Sequence, residues 1–151
     1  MRRSVETSSL TGDSPCPWGE GTLGAALLTP TRLYVKGPVA ATRAGTIKGL
    51  AHITGGGLTE NLPRALPDGL RAEVDLSSWA LPGVFGWLAD GGGLDQSELL
   101  KTFNAGIGMV AIVGHDQVEA ARAHLATDGQ IVHTIGRVVP GEGVAYTGAL
   151  A

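Results

Sequence analysis

The sequence contains one cysteine, Cys16, so no internal disulfide can close the chain. No Cys/His spacing builds a zinc site either. Charged residues make up 17% and aromatics 5%, the charged share lying well below the ordinary ~25%. The 11 basic residues are scattered, with Arg2-Arg3 the only adjacent pair, and the net charge is −3. This is not the electrostatic footprint of a nucleic-acid surface. The longest apolar runs, such as Gly24 to Leu28 and Met109 to Val113, fall far short of the ~20 residues a membrane span needs. The basic start Met1-Arg-Arg-Ser-Val-Glu6 has no apolar stretch behind it, unlike a signal peptide. These absences predict a cytoplasmic domain without nucleic-acid or membrane partners.

What is present is a 43% hydrophobic fraction and 24 glycines in 151 residues. That length suits one domain with a real core, and glycine runs at about twice its usual share of ~7%. Residues 1–21 are polar and turn-rich, broken by Pro15, Pro17, Gly19 and Gly21, with a possible helix remnant over residues 1–10. Thr22 to Leu28 reads as a short helix capped by Thr22. Arg32 to Lys36 reads as a short strand, and Pro38 to Arg43 as a short helix ending at Gly45. Leu50 to Thr54 is a second strand, followed by a helix from Leu58 to Ala65.

Arg71 to Leu76 alternates as a strand. Pro82 to Ala89 and Asp95 to Phe103 read as helices separated by Gly91-Gly-Gly93. Ile107 to Val113 is apolar enough for a strand buried on both faces. Asp116 to Thr127 has the spacing of a capped helix, with Asp116 and Glu119 as a capping box and Gly129 as its stop. Ile131 to Val139 and Gly143 to Thr147 are two strands joined by the Pro140-Gly141 turn. Alternating strands and helices predict a layered α/β (α+β) domain with a mixed, mostly antiparallel sheet.

Gly19-Glu-Gly-Thr-Leu-Gly24 matches a dinucleotide pattern, but Ser14-Pro-Cys-Pro-Trp18 before it cannot supply the strand that pattern requires. His52-Ile-Thr-Gly-Gly-Gly-Leu-Thr-Glu-Asn61 places three glycines between a strand and a helix. Spacing alone leaves two readings. Gly55, Gly56 and Gly57 could converge their N–H groups on an anion, with Thr54, Thr59 and Asn61 as neutral partners and His52 as proton carrier. Alternatively, the run is a sharp turn with Thr59 as N-cap and His52 half-buried. The Gly91 triplet, beside Asp90 and Asp95, reads as a connection. Asn104 in Phe103-Asn-Ala-Gly-Ile-Gly108 faces a cleft or ties a turn. Trp79 and Trp87 read as core or interdomain anchors. Arg32 and Lys36 would share one face of their strand. His115, His124 and His133 lack metal-like spacing, and no triad or paired acids indicate hydrolysis.

Three stretches carry a resemblance: Leu27 to Lys36, Gly49 to Arg64, and Phe103 to Val110. They resemble the C-terminal half of phosphoribosylformylglycinamidine cyclo-ligase (aminoimidazole ribonucleotide synthetase), over roughly residues 8–150. Ala105 stands where that family often has Cys, and Arg137 where an acidic residue is common. Selenophosphate synthetase, thiamine-monophosphate kinase and the hydrogenase-maturation dehydratase share the architecture without the His52–Asn61 run.

The resemblance implies residues 22–151 as the C-terminal domain, with the family's N-terminal ATP-binding domain missing from this sequence. It implies ATP-dependent closure of the imidazole ring of formylglycinamidine ribonucleotide. In the full-length enzyme the cofactors are ATP and Mg2+, and neither is expected on this chain alone. The implied site has His52 as catalytic residue, and Thr54, Gly55, Gly56, Gly57, Asn61 and Asn104 as substrate or phosphate contacts, with no metal ligand. The implied partners are a phosphorylated purine precursor and either the ATP-binding half or a second copy. The competing reading is a non-catalytic orphan domain that binds a phosphorylated purine precursor or docks onto a separate ATP-binding half. Divergence to another phosphorylated substrate is a third reading. The isolated chain is expected not to turn over ATP.

Overall fold

Eleven regular elements follow one another in the computed structural model, which describes Val5 and residues 8–151. They are α1 (Leu23–Leu27), α2 (Lys36–Arg43), β1 (Ile47–His52), α3 (Gly57–Asn61), β2 (Leu70–Asp75), α4 (Gly83–Gly92), α5 (Gln96–Thr102), β3 (Met109–Val113), α6 (Val118–Leu125), β4 (Gly136–Pro140) and β5 (Val144–Thr147). The expected helix remnant over residues 1–10 lies mostly outside the described residues.

The strands form two sheets flanked by helices, an α+β layout. β1 and β3 pair antiparallel, with Ala51 opposite Val110 and His52 opposite Met109. The second sheet has the order β4-β2-β5, β2 running antiparallel to β4 and parallel to β5. The Pro140-Gly141 turn therefore does not close a hairpin. It carries the chain across the start of β2, where the Gly141 N–H donates to the Gly69 carbonyl at 2.9 Å. The Ala72 N–H donates to Gly143 at 3.2 Å on the other side.

Alternation decides which residues enter the core, because successive strand side chains point to opposite faces. Ala72 and Val74 of β2 are buried, while Arg71 and Glu73 lie on the outer face in a pair with Arg137 of β4. Ala51 and Ile53 point inward from the β1 side, where they meet Leu58, Leu62, Leu76, Trp79, Leu100, Ala105 and Ile107. This cluster draws on both sheets, α3 and α5, so one core joins them. Ile53, Leu58, Leu76 and Leu100 are under 2% exposed or close to it, and each contributes about 1.5–3 kcal/mol by leaving water. On the far side of β1, α2 packs on α6 through small residues, with Ala41 at 0% and Ala121 at 2% exposure.

Several local expectations hold. Thr22 caps α1 by accepting from the Ala25 N–H, and the helix expected from Asp95 begins there, with Asp95 as its N-cap. The Gly91 triplet, by contrast, is not a connection throughout: Gly91 and Gly92 extend the helix expected to end at Ala89, and only Gly93 leaves it, in the left-handed region. Others need correction. Arg32 to Lys36 is not a strand, since no neighbouring strand accepts it and Lys36 opens α2, where Pro38 sits in the first turn. Arg32 and Lys36 consequently share no strand face. The Asp116/Glu119 capping box is absent, because Asp116 accepts from Gln117 Nε2 at 3.2 Å and a single 3-10 turn precedes α6.

Strand β3 is only half-buried along its length, since a two-stranded ribbon covers one face alone. Residues 131–135 are not a strand. Arg122 holds that segment by donating to the Val132 carbonyl at 2.6 Å and Thr134 Oγ1 at 2.7 Å. The helix expected over Leu58 to Ala65 stops at Asn61 and resumes as a 3-10 turn, Pro63–Ala65, because Pro63 has no N–H to continue the ladder.

Candidate functional site

The segment from Ile53 to Asn61 leaves the end of β1 and turns into α3. The Ile53 N–H donates to the Gly108 carbonyl at 2.9 Å, which anchors the loop beside the segment leading into β3. Gly57 then folds back, its N–H donating to the Thr54 carbonyl at 3.0 Å. Two glycines here are required by geometry. Gly56 has φ +91, and Gly57 has φ +56 with the Leu100 carbonyl oxygen 2.0 Å from where its Cβ would lie. An L side chain at Gly57 would be both strained and in collision with backbone. Gly55 differs: its ideal Cβ meets nothing within 4 Å, and no positive φ constrains it.

Asn61, 7% exposed, spends its amide within the loop. Its Nδ2 donates to the Gly57 carbonyl at 2.8 Å and the Gly55 carbonyl at 3.1 Å. Thr59 lies inside α3 and is not the N-cap, a position taken by Gly56. Thr59 Oγ1 bridges the Leu100 carbonyl at 3.2 Å and the Tyr146 hydroxyl at 2.9 Å. Burial holds the Tyr146 hydroxyl above its ordinary value, an effect opposed by the bond to Thr59. Among the described residues, the N–H groups of Gly55 and Gly56 and the hydroxyl of Thr54 have no protein partner. A helix of five residues adds little dipole, so these short-range donors are what the loop offers an anion.

Beside them opens a cleft of about 270 Å³. Ile53, Thr54 and Gly55 form one wall, and Thr102, Phe103, Asn104 and Phe85 the other. The Phe85 and Phe103 rings meet at 5.8 Å with an interplanar angle of 54°. Asn104 is half-buried and uses Oδ1 to accept from the Gly106 N–H at 3.0 Å, while its carbonyl accepts from Ile107. Its side-chain amine has no protein partner among the described residues. Trp79 supports this wall from behind, donating from Nε1 to the Ala105 carbonyl at 2.8 Å, with Ala105 itself at φ +48.

The structure thus brings Thr54, Gly55 and Asn104 to one cleft, with Gly56, Gly57 and Asn61 shaping its loop. His52 stands apart. It is exposed, on the ribbon face opposite Ile53, with its ring 6.3 Å from that of Tyr34. Tyr34 can lie there because Gly108 has no side chain, since a Cβ would fall 2.1 Å from the Tyr34 hydroxyl. Phe85 and Thr102 are cleft residues the sequence reading missed. Phe85 carried no signal, since a phenylalanine in a helix reads as core. Trp79 is a core anchor, and the Trp87 ring meets that of Trp18 at 5.0 Å with a tilt of 46°. Gly24 packs against Gly12, its N–H donating to the Gly12 carbonyl at 2.8 Å, so the Gly19 pattern is a loop contact. Among the described residues no group of His, Cys, Asp and Glu is placed to hold a metal ion, and no helix is long and apolar enough to cross a membrane.

A two-stranded antiparallel sheet and a three-stranded mixed sheet flanked by helices, with a glycine loop leaving a strand beside a cleft, make this an α+β domain. The family model described as AIR synthase related protein, C-terminal domain, matches residues 4–148. The chain belongs to that family.

Proposed function

We propose that this domain is the C-terminal half of an ATP-dependent cyclo-ligase that closes the imidazole ring of formylglycinamidine ribonucleotide to aminoimidazole ribonucleotide. Transfer of the γ-phosphoryl group of ATP to an amide oxygen, followed by attack of an internal nitrogen that expels that oxygen as inorganic phosphate, depends on positioning and on charge stabilisation. The single observation that carries the reading is the set of unpartnered donors at Thr54, Gly55 and Gly56 on the edge of the cleft. They supply neutral hydrogen bonds for a substrate or nucleotide phosphate. Asn61 and Gly57 hold the loop in the shape that presents these donors, and Asn104 offers an amine from the opposite wall. Phe85 and Phe103 give the cleft an apolar side for the uncharged part of the ligand. His52, the proton carrier that the resemblance implies, is exposed on the ribbon face away from this cleft and takes no part in the site as proposed. ATP and Mg2+ are supplied through the N-terminal half of the family enzyme, and the isolated chain does not turn over.

Gly55→Leu is the discriminating variant, because it adds bulk at the cleft without strain in the backbone. In a protein joining this domain to an ATP-binding half, kcat/KM should fall by a factor of about 100 or more, as expected for losing a positioned phosphate contact. Unchanged kcat/KM sinks the reading. Calorimetry on the chain alone, with a phosphoribosyl ligand, should show binding that Gly55→Leu removes.

A further inference from the structure

The cleft wall opposite Thr54 carries a turn that passes through two consecutive residues of left-handed backbone. Ala105 has φ +48 and is fully buried, and Gly106 follows at φ +95. A non-glycine residue persists in that region only where its surroundings over-determine it. Three bonds do so here. Trp79 Nε1 donates to the Ala105 carbonyl at 2.8 Å, and the Ile107 N–H donates to the Asn104 carbonyl at 2.9 Å. The Gly106 N–H donates to Asn104 Oδ1 at 3.0 Å.

That last bond decides which way the Asn104 carboxamide faces. A backbone N–H only donates, so the atom it meets is the oxygen of the carboxamide. Nδ2 is therefore the end left to the cleft that Asn104 lines, and it has no protein partner among the described residues. None of the residues lining the cleft is ionisable. At the Gly56 end of the loop, the Glu60 carboxylate lies against Gly56 and pairs with Arg64 at 3.9 Å. Lys101, one residue before Thr102, is exposed at the end of α5. Neutral donors of fixed direction thus set what the cleft accepts.

We propose that Asn104 sets the ligand specificity of this cleft, as a donor fixed in direction by its own turn, and that Trp79 is the positioning residue that holds the turn. This selectivity rests on the phosphate reading of the Gly55 loop. The group taken is one that only accepts, a phosphomonoester oxygen, shared with the Gly55 N–H and the Thr54 hydroxyl. An ammonium or amide N–H at this wall meets another donor and is rejected. A donor already held in place costs little to order on binding.

Asn104→Asp isolates the donor. Asp keeps an oxygen for the Gly106 N–H, so the turn survives, but an anionic acceptor replaces the amine. The test follows ribose 5-phosphate binding to the full chain by calorimetry, and by the Asn104 side-chain amide signals in nitrogen-edited NMR. In the wild-type chain those signals should move with ribose 5-phosphate and stay in place with ribose. Asn104→Asp should melt close to the wild-type temperature and bind ribose 5-phosphate at least about tenfold more weakly, as expected for losing a bond to a charged group. Trp79→Phe should also weaken binding. The double variant should bind no more weakly than Asn104→Asp alone, because Trp79 acts through Asn104.

Full affinity in Asn104→Asp, while Gly55→Leu abolishes binding, overturns this inference and leaves the phosphate reading standing. Asn104 amide signals that do not move in the wild-type chain overturn it without any variant. Additive losses in the double variant overturn the role of Trp79. A wild-type chain that does not bind ribose 5-phosphate overturns the phosphate reading and this inference together.

Discussion

Asn61 reaches back one helical turn to Gly57, its Nδ2 lying 2.8 Å from the Gly57 carbonyl oxygen, and the same amine holds the Gly55 carbonyl at 3.1 Å. One buried side chain therefore ties both ends of the glycine triplet. Asn61→Ala leaves carbonyls without a donor and should cost about 1–3 kcal/mol. Asn61→Asp places an anion against the same carbonyls and should cost more. Urea unfolding of the two variants checks the order.

The three glycines of the loop should respond unequally. Gly57→Ala meets the Leu100 carbonyl at 2.0 Å from an already left-handed backbone, and should cost at least about 3 kcal/mol or prevent folding. Gly55→Ala has open space and should change stability by less than about 1 kcal/mol. Thermal melts of the pair decide this, and equal melting temperatures would contradict the loop geometry.

Trp79 is 6% exposed and donates to Ala105, the residue that turns the chain at φ +48. Trp79→Phe keeps much of the volume and loses the bond, with an expected cost of about 1–3 kcal/mol. Ala105→Val forces a β-branched residue into the left-handed region and should destabilise by a similar amount. Denaturant midpoints measure both.

Stability should also depend on alkaline pH through Tyr146. Burial raises its hydroxyl above the ordinary value of 10.0, with the Thr59 bond opposing the effect. A folded value above the unfolded one means that the contribution is whole below pH 10.0 and is lost as pH rises through the folded value. Tyrosinate absorbance should show one late-titrating tyrosine, absent in Tyr146→Phe, and the variant's stability should fall less steeply at high pH.

The acid limb has the opposite sign. Hydrogen bonds from Arg71 first and Arg137 second hold Glu73 below its ordinary value of 4.5. That contribution is present above pH 4.5 and is lost as pH falls through the folded value. Glu73→Gln should lower stability at neutral pH and flatten the loss in acid, as read from unfolding curves at a series of pH values.

Much of the local structure was legible because its causes are local. Thr22 caps α1, and Gly129 stops the turn that follows α6 in the left-handed region, both through contacts within a few residues. Where the deciding contact was distant, the reading failed. Arg32 to Lys36 has strand-like residues but no strand to pair with. Asp116 has capping spacing but bonds to Gln117. The strands around Pro140-Gly141 have hairpin spacing, yet β2 lies between them.

The candidate site divides in the same way. By itself the sequence determined the glycine triplet after a strand, the residue types around it and the membership of its family, since these depend on order along the chain. Only the tertiary structure decided what each residue does there. Leu100, far away in the chain, makes Gly57 obligatory, and Gly55 and Gly57 occupy the Asn61 amide that looked free. The pleat of β1 sends His52 to one face and Ile53 to the other. Packing of α5 and α4 against the loop brings Phe103, Asn104 and Phe85 across from Thr54. Side-chain direction and long-range backbone contact follow from packing in three dimensions, and no spacing along the chain encodes them.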